Sequence, residues 1–397
     1  MSTRPQRHPL LRPRGTLAQL TTGRANGFGA LRLLLAAAVI VSHVWPVGWG
    51  PLDPLWDWSG GTTDLGKTAV LGFFALSGFM ITGSAARLPA LRYAWHRALR
   101  ILPGLFVSLV FCAVVLTPPL YLRQHGTLAG FWSRPDGPAG YVTSLGSGSP
   151  TAGWDVSGVL AEGVRLGTNF DRSFNGALWS LKYEVLCYLV VGLLAALGVL
   201  RRHRRLVPAA AAGLWLLTAS RLLDPPSPAD PLGGPSITVP GLGLLSGHLL
   251  LRLGLVFLLG SAARLWADRV PLYDGLALAA AVVLPVTVRW GGYPEFGHPA
   301  LVYLLLWAAA RMPDRLRRVG RRADYSYGLY IYGFPVEQAL ALLGAARLGK
   351  AGFLVCALAA AAVLAAFSWH CVERPALRLR DRALPWARSR AASAEGA

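Results

Sequence analysis

An all-α, polytopic membrane protein with about ten transmembrane helices and both termini in the cytoplasm is the fold class this sequence predicts, on three observations. Hydrophobic residues fill 54% of the 397 positions and charged ones only 15%, with a mean hydropathy of +0.44, a balance foreign to soluble domains. Apolar runs recur along the chain, each about 20 residues long and so able to cross a bilayer core as a helix. The connections between them alternate between basic and acidic, as they should when Lys and Arg gather on the cytoplasmic side.

Taken in order, residues 1–25 are a polar basic arm, with Arg4, Arg7, Arg12, Arg14 and Arg24. A membrane domain is expected over 26–375, with spans at about 28–47, 65–86, 101–120, 177–200, 205–223, 242–263, 270–288, 298–312, 325–345 and 351–372. The first run follows the basic arm without a clear small-residue cleavage site, so it is expected to stay in the membrane. Basic connections follow spans two, four and eight (Arg87 to Arg100, Arg201 to Arg205, Arg311 to Arg322), and a basic tail covers 376–397. The intervening connections carry Asp53, Asp57, Asp64, Asp136, Asp155, Asp171, Asp224, Asp230 and Glu295 with fewer cations. The longest connection, about 121–176, is rich in Gly, Ser and Pro and falls outside the cell, with the character of a lid or acceptor-binding segment.

The net charge of +20 raises the question of nucleic acid, but no basic patch interleaved with aromatics and no zinc-finger spacing accompanies it. Basic loops at a membrane face account for the charge, and no nucleic-acid partner is expected. Cys112, Cys187, Cys356 and Cys371 lie in or at the end of apolar segments without metal-ligand spacing and read as packing residues, so no metal is expected.

Candidate chemistry begins with the first span. His43 follows Arg32 by eleven residues, and at about 100° per residue both side chains return to one helical face, about 16 Å apart along the axis. Ionisable groups are costly in hydrocarbon and mark sites there, and this pair is spaced to serve two ends of one long substrate. At a helix end His43 would simply bond a carbonyl; within a site it is a general base, because imidazole titrates near neutrality. Arg32 is either a snorkelling anchor or a ligand for an anionic group such as phosphate. Arg97 and Arg100 share a face at i,i+3 and are either positive-inside residues or a nucleotide-binding pair.

Glu184 lies about two turns into a span entered from outside, a depth at which a carboxylate needs a partner or a proton. Lys182 is two residues away and faces elsewhere, whereas His43 occupies the same outer half. Glu184 is therefore expected to orient His43 and stabilise its cation, as carboxylates do in hydrolase triads. Ser77 is read as a small packing residue without a neighbouring base, and Tyr327, Tyr330 and Tyr332 with Pro335 as an aromatic packing segment.

These residues stand in ordered motifs: Arg32-x10-His43, Gly72-Phe-Phe-Ala-Leu-Ser-Gly-Phe79, Arg97-x-x-Arg100 before Ile101 and Pro103, Asn175-Gly-Ala-Leu-Trp-Ser-Leu-x-Tyr-Glu184, Ser326-Tyr-Gly-Leu-Tyr-Ile-Tyr332 through Pro335, and Glu373-Arg-Pro375. In this order the chain resembles the acyltransferase-3 family of integral membrane acyltransferases. The resemblance implies acyl transfer from cytoplasmic acyl-CoA to a hydroxyl of a glycan or other acceptor, with His43 essential and Arg32, Arg97, Arg100 and Glu184 as further functional positions. The Asn-Gly-x-Leu-Trp and Tyr-Glu variants resemble members that O-acetylate exopolysaccharides. One departure is Gly29, where many relatives carry an acidic residue three positions before the first-helix arginine.

The expected function is membrane O-acyl transfer in the plasma membrane. Acetyl-CoA is the donor substrate, no cofactor is held permanently, and His43 and Glu184 are catalytic, while Arg32, Arg97 and Arg100 bind acyl-CoA. A transporter or flippase for a lipid-linked or acylated glycan is the competing class, since it too would line a central path with buried charge. It would move substrate without forming an ester.

Overall fold

The computed structural model describes residues 13, 15–21, 26–147, 155–160, 173–220, 236–240 and 242–381. The arginines of the N-terminal arm named above, parts of the long 121–176 connection, Asp171, Asp224, Asp230 and the tail beyond 381 lie outside the described residues.

Helices stand at each of the ten expected positions: α1 (Phe28–Trp49), α2 (Leu65–Ala85), α3 (Ala90–His125), α4 (Leu181–Ala196), α5 (Leu206–Ser220), α6 (Gly247–Leu265), α7 (Asp274–Trp290), α8 (His298–Arg311), α9 (Ser326–Leu342) and α10 (Gly349–Ser368). Among the described residues, six helical stretches are long and apolar enough to cross a membrane: those of α1, α2, α3, α4 with its 3₁₀ entry turn Gly176–Ser180, α6, and α10 with its flanks. Local chemistry sets several ends. Asp64 caps α2 by accepting from the Lys67 amide at 2.6 Å, and Gly50, at φ 95°, closes α1 in a conformation that favours glycine.

Three boundaries differ from expectation. The third span begins at Ala90, not near 101, because Ala90 to Arg100 is an amphipathic stretch of good helix formers that a hydropathy window passes over. Preceding α6, the chain makes an antiparallel hairpin, Ser236–Val239 with Gly243–Ser246. Lys182 is spent there, donating to the Leu244 carbonyl at 2.6 Å, which agrees with its facing away from Glu184. Past Ser368, α10 runs through a π turn, Trp369–Glu373, into Arg374–Arg378, and that wider turn lets Ser368 Oγ donate to Glu373 Oε1 at 3.0 Å.

Small residues bring the site helices together. Gly78 of α2 lies against the Phe257 carbonyl of α6, and Gly260 of α6 against the Ala75 carbonyl, so neither position has room for a Cβ. Gly333 of α9 packs on Ile40 of α1 and Gly328 on Ala365 of α10. Consequently α1 is gripped between α2 and α9, with the core of the bundle around it.

In the long connection between α3 and α4, Asp155 accepts from the amides of Val156 at 2.7 Å and Leu160 at 3.2 Å. Burial nevertheless pushes its carboxyl up to about 6, those amides pulling the other way. The folded state thus holds a proton that the unfolded segment has lost, so stability falls as pH rises from 3.8 towards about 6. Amide-exchange protection over 155–160 should drop by more than about tenfold across that window, towards the roughly hundredfold that a rise from 3.8 to about 6 allows. In Asp155→Asn the slope should vanish, and an unaltered slope would assign it to another group.

Candidate active site

The first-helix pair sits as its spacing demands, Arg32 and His43 on one face of α1, but each opens into a different cavity. An inner cavity of about 350 Å³ lies between α1, α2, α3, α4 and α9 and is walled by Arg32, Ser77, Arg97, Arg100, Glu184 and Asp324 among others. An outer pocket of about 60 Å³ holds His43, Ser42, Asp64, Lys67 and Trp179. Val70 of α2 and Tyr330 of α9 line both, so the two spaces meet at these side chains. Tyr330 is fixed in that position: its hydroxyl lies 2.7 Å from Ser180 Oγ and donates to the Ala177 carbonyl at 2.6 Å.

The expected partnership of Glu184 with His43 is not formed. Glu184 lies in the inner cavity, where it accepts from Ser77 Oγ at 3.1 Å and from the Tyr188 hydroxyl. Its two partners come from α2 and from one turn along its own helix, and together they draw the carboxylate to the arginine side of Tyr330. The carboxylate beside His43 is Glu337 of α9, whose Oε2 is 3.5 Å from His43 Nδ1. Glu337 has 0% exposure and makes no hydrogen bond among the described residues, so the imidazole is its nearest charge partner. Phe334, one turn earlier, meets the imidazole edge-on with centroids 4.7 Å apart. Nδ1 is the nitrogen that faces Glu337, at 3.5 Å and without a hydrogen bond, which leaves Nε2 for a substrate proton.

Ser77 also departs from expectation: besides packing on α2 it has an acidic neighbour, Glu184, and a wall of the inner cavity. The aromatic segment does pack, since Tyr327 donates to the Ile101 carbonyl at 2.9 Å and Tyr332 meets Phe111 edge-on. Tyr330 has the additional position between the cavities.

Arg32 and Arg100 converge on a residue the spacing did not single out. Arg32 Nη1 and Arg100 Nη2 reach Asp324 Oδ2 at 2.6 and 2.7 Å, and Arg100 Nη1 reaches Glu373 Oε2 at 3.2 Å. Burial alone would raise the Asp324 carboxyl; the two guanidiniums, with Ser326, overcome it and hold it below the usual carboxylate range. Arg97 is uncommitted by comparison: it lies over the Tyr188 ring, and its buried Nε has no hydrogen-bond partner among the described residues. Gly29 is explained as well. A Cβ there would stand 2.6 Å from the Val319 carbonyl and 2.9 Å from Gly320 Cα, so the α8–α9 connection lies directly on α1. The acid opposite Arg32 comes from that connection.

The only sequence signals for these missed residues were weak. Glu337 is a lone carboxylate inside the apolar run of α9, and Asp324 stands two residues before the Ser326-Tyr-Gly motif.

The helical domain thus sets a histidine–carboxylate pair on one side of Val70 and Tyr330 and clustered arginines on the other. The family model for the acyltransferase domain of the acyltransferase-3 type matches residues 26–370. The chain is 28% identical over 375 residues to Nodulation protein 10 of Rhizobium leguminosarum bv. viciae, an alignment spanning 91% of this chain and 95% of that one. It is 24% identical over 357 residues to the O-acetyl transferase of Shigella phage Sf6, spanning 88% and 96% respectively. No solved structure matches. The chain belongs to the acyltransferase-3 family and is a membrane O-acyltransferase.

Proposed function

We propose that the enzyme moves an acetyl group from acetyl-CoA, bound from the cytoplasm in the inner cavity, to a hydroxyl of a glycan or similar acceptor held at the outer pocket. The observation that carries this reading is the meeting of the two cavities at Val70 and Tyr330, with cations on one side and the His43–Glu337 pair on the other. Ten spans in the plasma membrane with both termini inside would put the arginines on the cytoplasmic face and His43 towards the exterior. A donor with its phosphates at Arg97, Arg100 and Arg32 and its pantetheine arm along α1 would bring the thioester to His43, about 16 Å further along the axis.

In this scheme His43 Nε2 takes the acceptor hydroxyl proton as the oxygen attacks the thioester carbonyl. The tetrahedral intermediate collapses with cleavage of the C–S bond, and the departing thiolate recovers the proton from the imidazolium. Glu337 holds Nδ1–H towards itself and stabilises the transient cation. A variant route has Nε2 attack first, expelling the CoA thiolate as the C–S bond breaks, and carry the acetyl as acyl-imidazole until the acceptor oxygen displaces the imidazole, its hydroxyl proton passing to the thiolate. Positioning the two substrates at near-attack distance would supply much of the acceleration. Glu184, bonded to Ser77 and Tyr188, would serve the donor side, shaping the inner cavity beside Arg97.

The test is transfer of label from radiolabelled acetyl-CoA into glycan and lipid extracted from membranes that carry the enzyme. Alkali-labile label absent from control membranes supports the reading and delivers the acceptor. No transfer from acetyl-CoA but transfer from longer acyl donors would overturn the choice of acetyl. Movement of a glycan across the membrane without ester formation would overturn the transferase reading in favour of transport.

Arg97→Ala separates the donor site from the fold. A charge-assisted contact to phosphate is worth about 1.5–3 kcal/mol, so CoA should bind about ten- to a hundredfold more weakly, with the melting temperature little changed. Unchanged affinity would remove Arg97 from the donor site.

A further inference from the structure

The connection between α8 and α9 carries Arg318, Arg321 and Arg322, all exposed, along an open cleft of about 850 Å³. Asp324 and Ser326 line both this cleft and the inner cavity, so the two adjoin at these residues. The segment is anchored and not merely draped: Gly320 lies on Gly29 at φ +77°, and Arg317 ties the preceding turn to the Ala310 and Met312 carbonyls at 3.0 and 2.6 Å. Acidic groups nearby are taken, Asp324 by Arg32 and Arg100, and Asp314 by Arg317. Among the described residues the three exposed arginines therefore have no ion-pair partner, and the cleft keeps their positive charge. A topological preference for basic loops explains arginines at a membrane face, but not their lining a cleft that shares Asp324 and Ser326 with the inner cavity.

We propose that this cleft binds the adenosine 3′-phosphate of CoA, beyond the pyrophosphate that Arg97, Arg100 and Arg32 would hold in the inner cavity. Arg318, Arg321 and Arg322 take the phosphate charge, and Tyr325 provides the aromatic wall. The enzyme thereby selects CoA thioesters over acyl donors that present the same pantetheine arm without the nucleotide. This inference rests on the donor reading above, and the volume is within the range of small-ligand sites. An anionic lipid headgroup would satisfy the same arginines, so the experiment separates the two phosphates.

Dissociation constants of CoA and 3′-dephospho-CoA would be measured on the purified full chain in nanodiscs of neutral lipid and again with phosphatidylglycerol, for wild type and for the Arg321→Ala/Arg322→Ala double variant. Wild type is expected to prefer CoA by about tenfold, the scale of one partly exposed charge-assisted contact. The variant should lose that preference while its affinity for 3′-dephospho-CoA stays unchanged, in both lipids. Equal affinities in wild type, or a preference retained by the variant, would overturn the proposal. So would a variant defect that falls equally on both nucleotides and only with phosphatidylglycerol, which would give the arginines to lipid. Wild type that binds neither nucleotide would overturn the donor reading itself.

Discussion

His43→Ala is expected to lower acyl transfer by about 10²–10⁴-fold while leaving the helical bundle intact, because general-base catalysis contributes on that scale and the side chain lines a cavity. Glu337→Gln should also slow the reaction, since it keeps the shape of the side chain but removes the carboxyl group 3.5 Å from Nδ1. The informative quantity is their coupling. If Glu337 acts through the imidazole, the double variant should be hardly slower than His43→Ala alone, whereas independent roles would multiply the two losses. Glu184→Gln should behave differently and raise the KM for the acyl donor, because its contacts lie in the inner cavity. A coupling of Glu184 with His43 as strong as that of Glu337 would return Glu184 to the base. Transfer by His43→Ala at the wild-type rate would remove His43 from the chemistry.

Asp324→Ala is expected to be the most damaging single change to stability outside the closest helix contacts. It removes the carboxylate shared by Arg32 and Arg100 and leaves two guanidiniums facing each other with only Glu373 in reach. Breaking a buried pair by deleting one partner costs about 3–5 kcal/mol; the lower end applies here, since the three side chains keep 14–21% exposure. Because the native carboxyl is held below its ordinary range, its contribution is present above the ordinary carboxylate value and fades as pH falls through the lower, folded one. Thermal unfolding in detergent at pH 7 and at about pH 2 measures this, the wild type losing part of its advantage over Asp324→Ala at the lower pH. If CoA phosphates reach the same arginines, CoA should raise the melting temperature of Asp324→Ala by more than that of wild type, because the ligand then replaces the missing negative charge. Equal shifts would place the phosphates elsewhere.

The parts of this site that could be read in advance were those with short-range causes. Arg32 and His43 share a face because a helix repeats every 3.6 residues, and Arg97 and Arg100 share a face for the same reason. The apolar runs located every long helix, since a bilayer demands continuous hydrophobic length. The amphipathic start of α3 and the hairpin before α6 escaped because hydropathy reports burial in lipid, whereas Ala90 to Arg100 and Ser236 to Ser246 are shaped by helix propensity and strand pairing.

The sequence by itself determined that this is a helical membrane protein, that α1 carries an arginine and a histidine on one stripe, and that further arginines stand at a helix start. Only the tertiary structure decided which acids meet them. Glu184 and Glu337 are both lone carboxylates in apolar helices, and nothing local distinguishes them. The packing of α9 on α1 through Gly333 and Ile40 carries Glu337 to His43, while Ser77 and Tyr188 keep Glu184 on the other side of Tyr330. Likewise Asp324 reaches Arg32 across 292 positions because Gly29 lets the connection at Gly320 lie against α1. Pairings over such separations are set by how helices dock, which depends on side chains throughout the bundle and not on the spacing within any one of them.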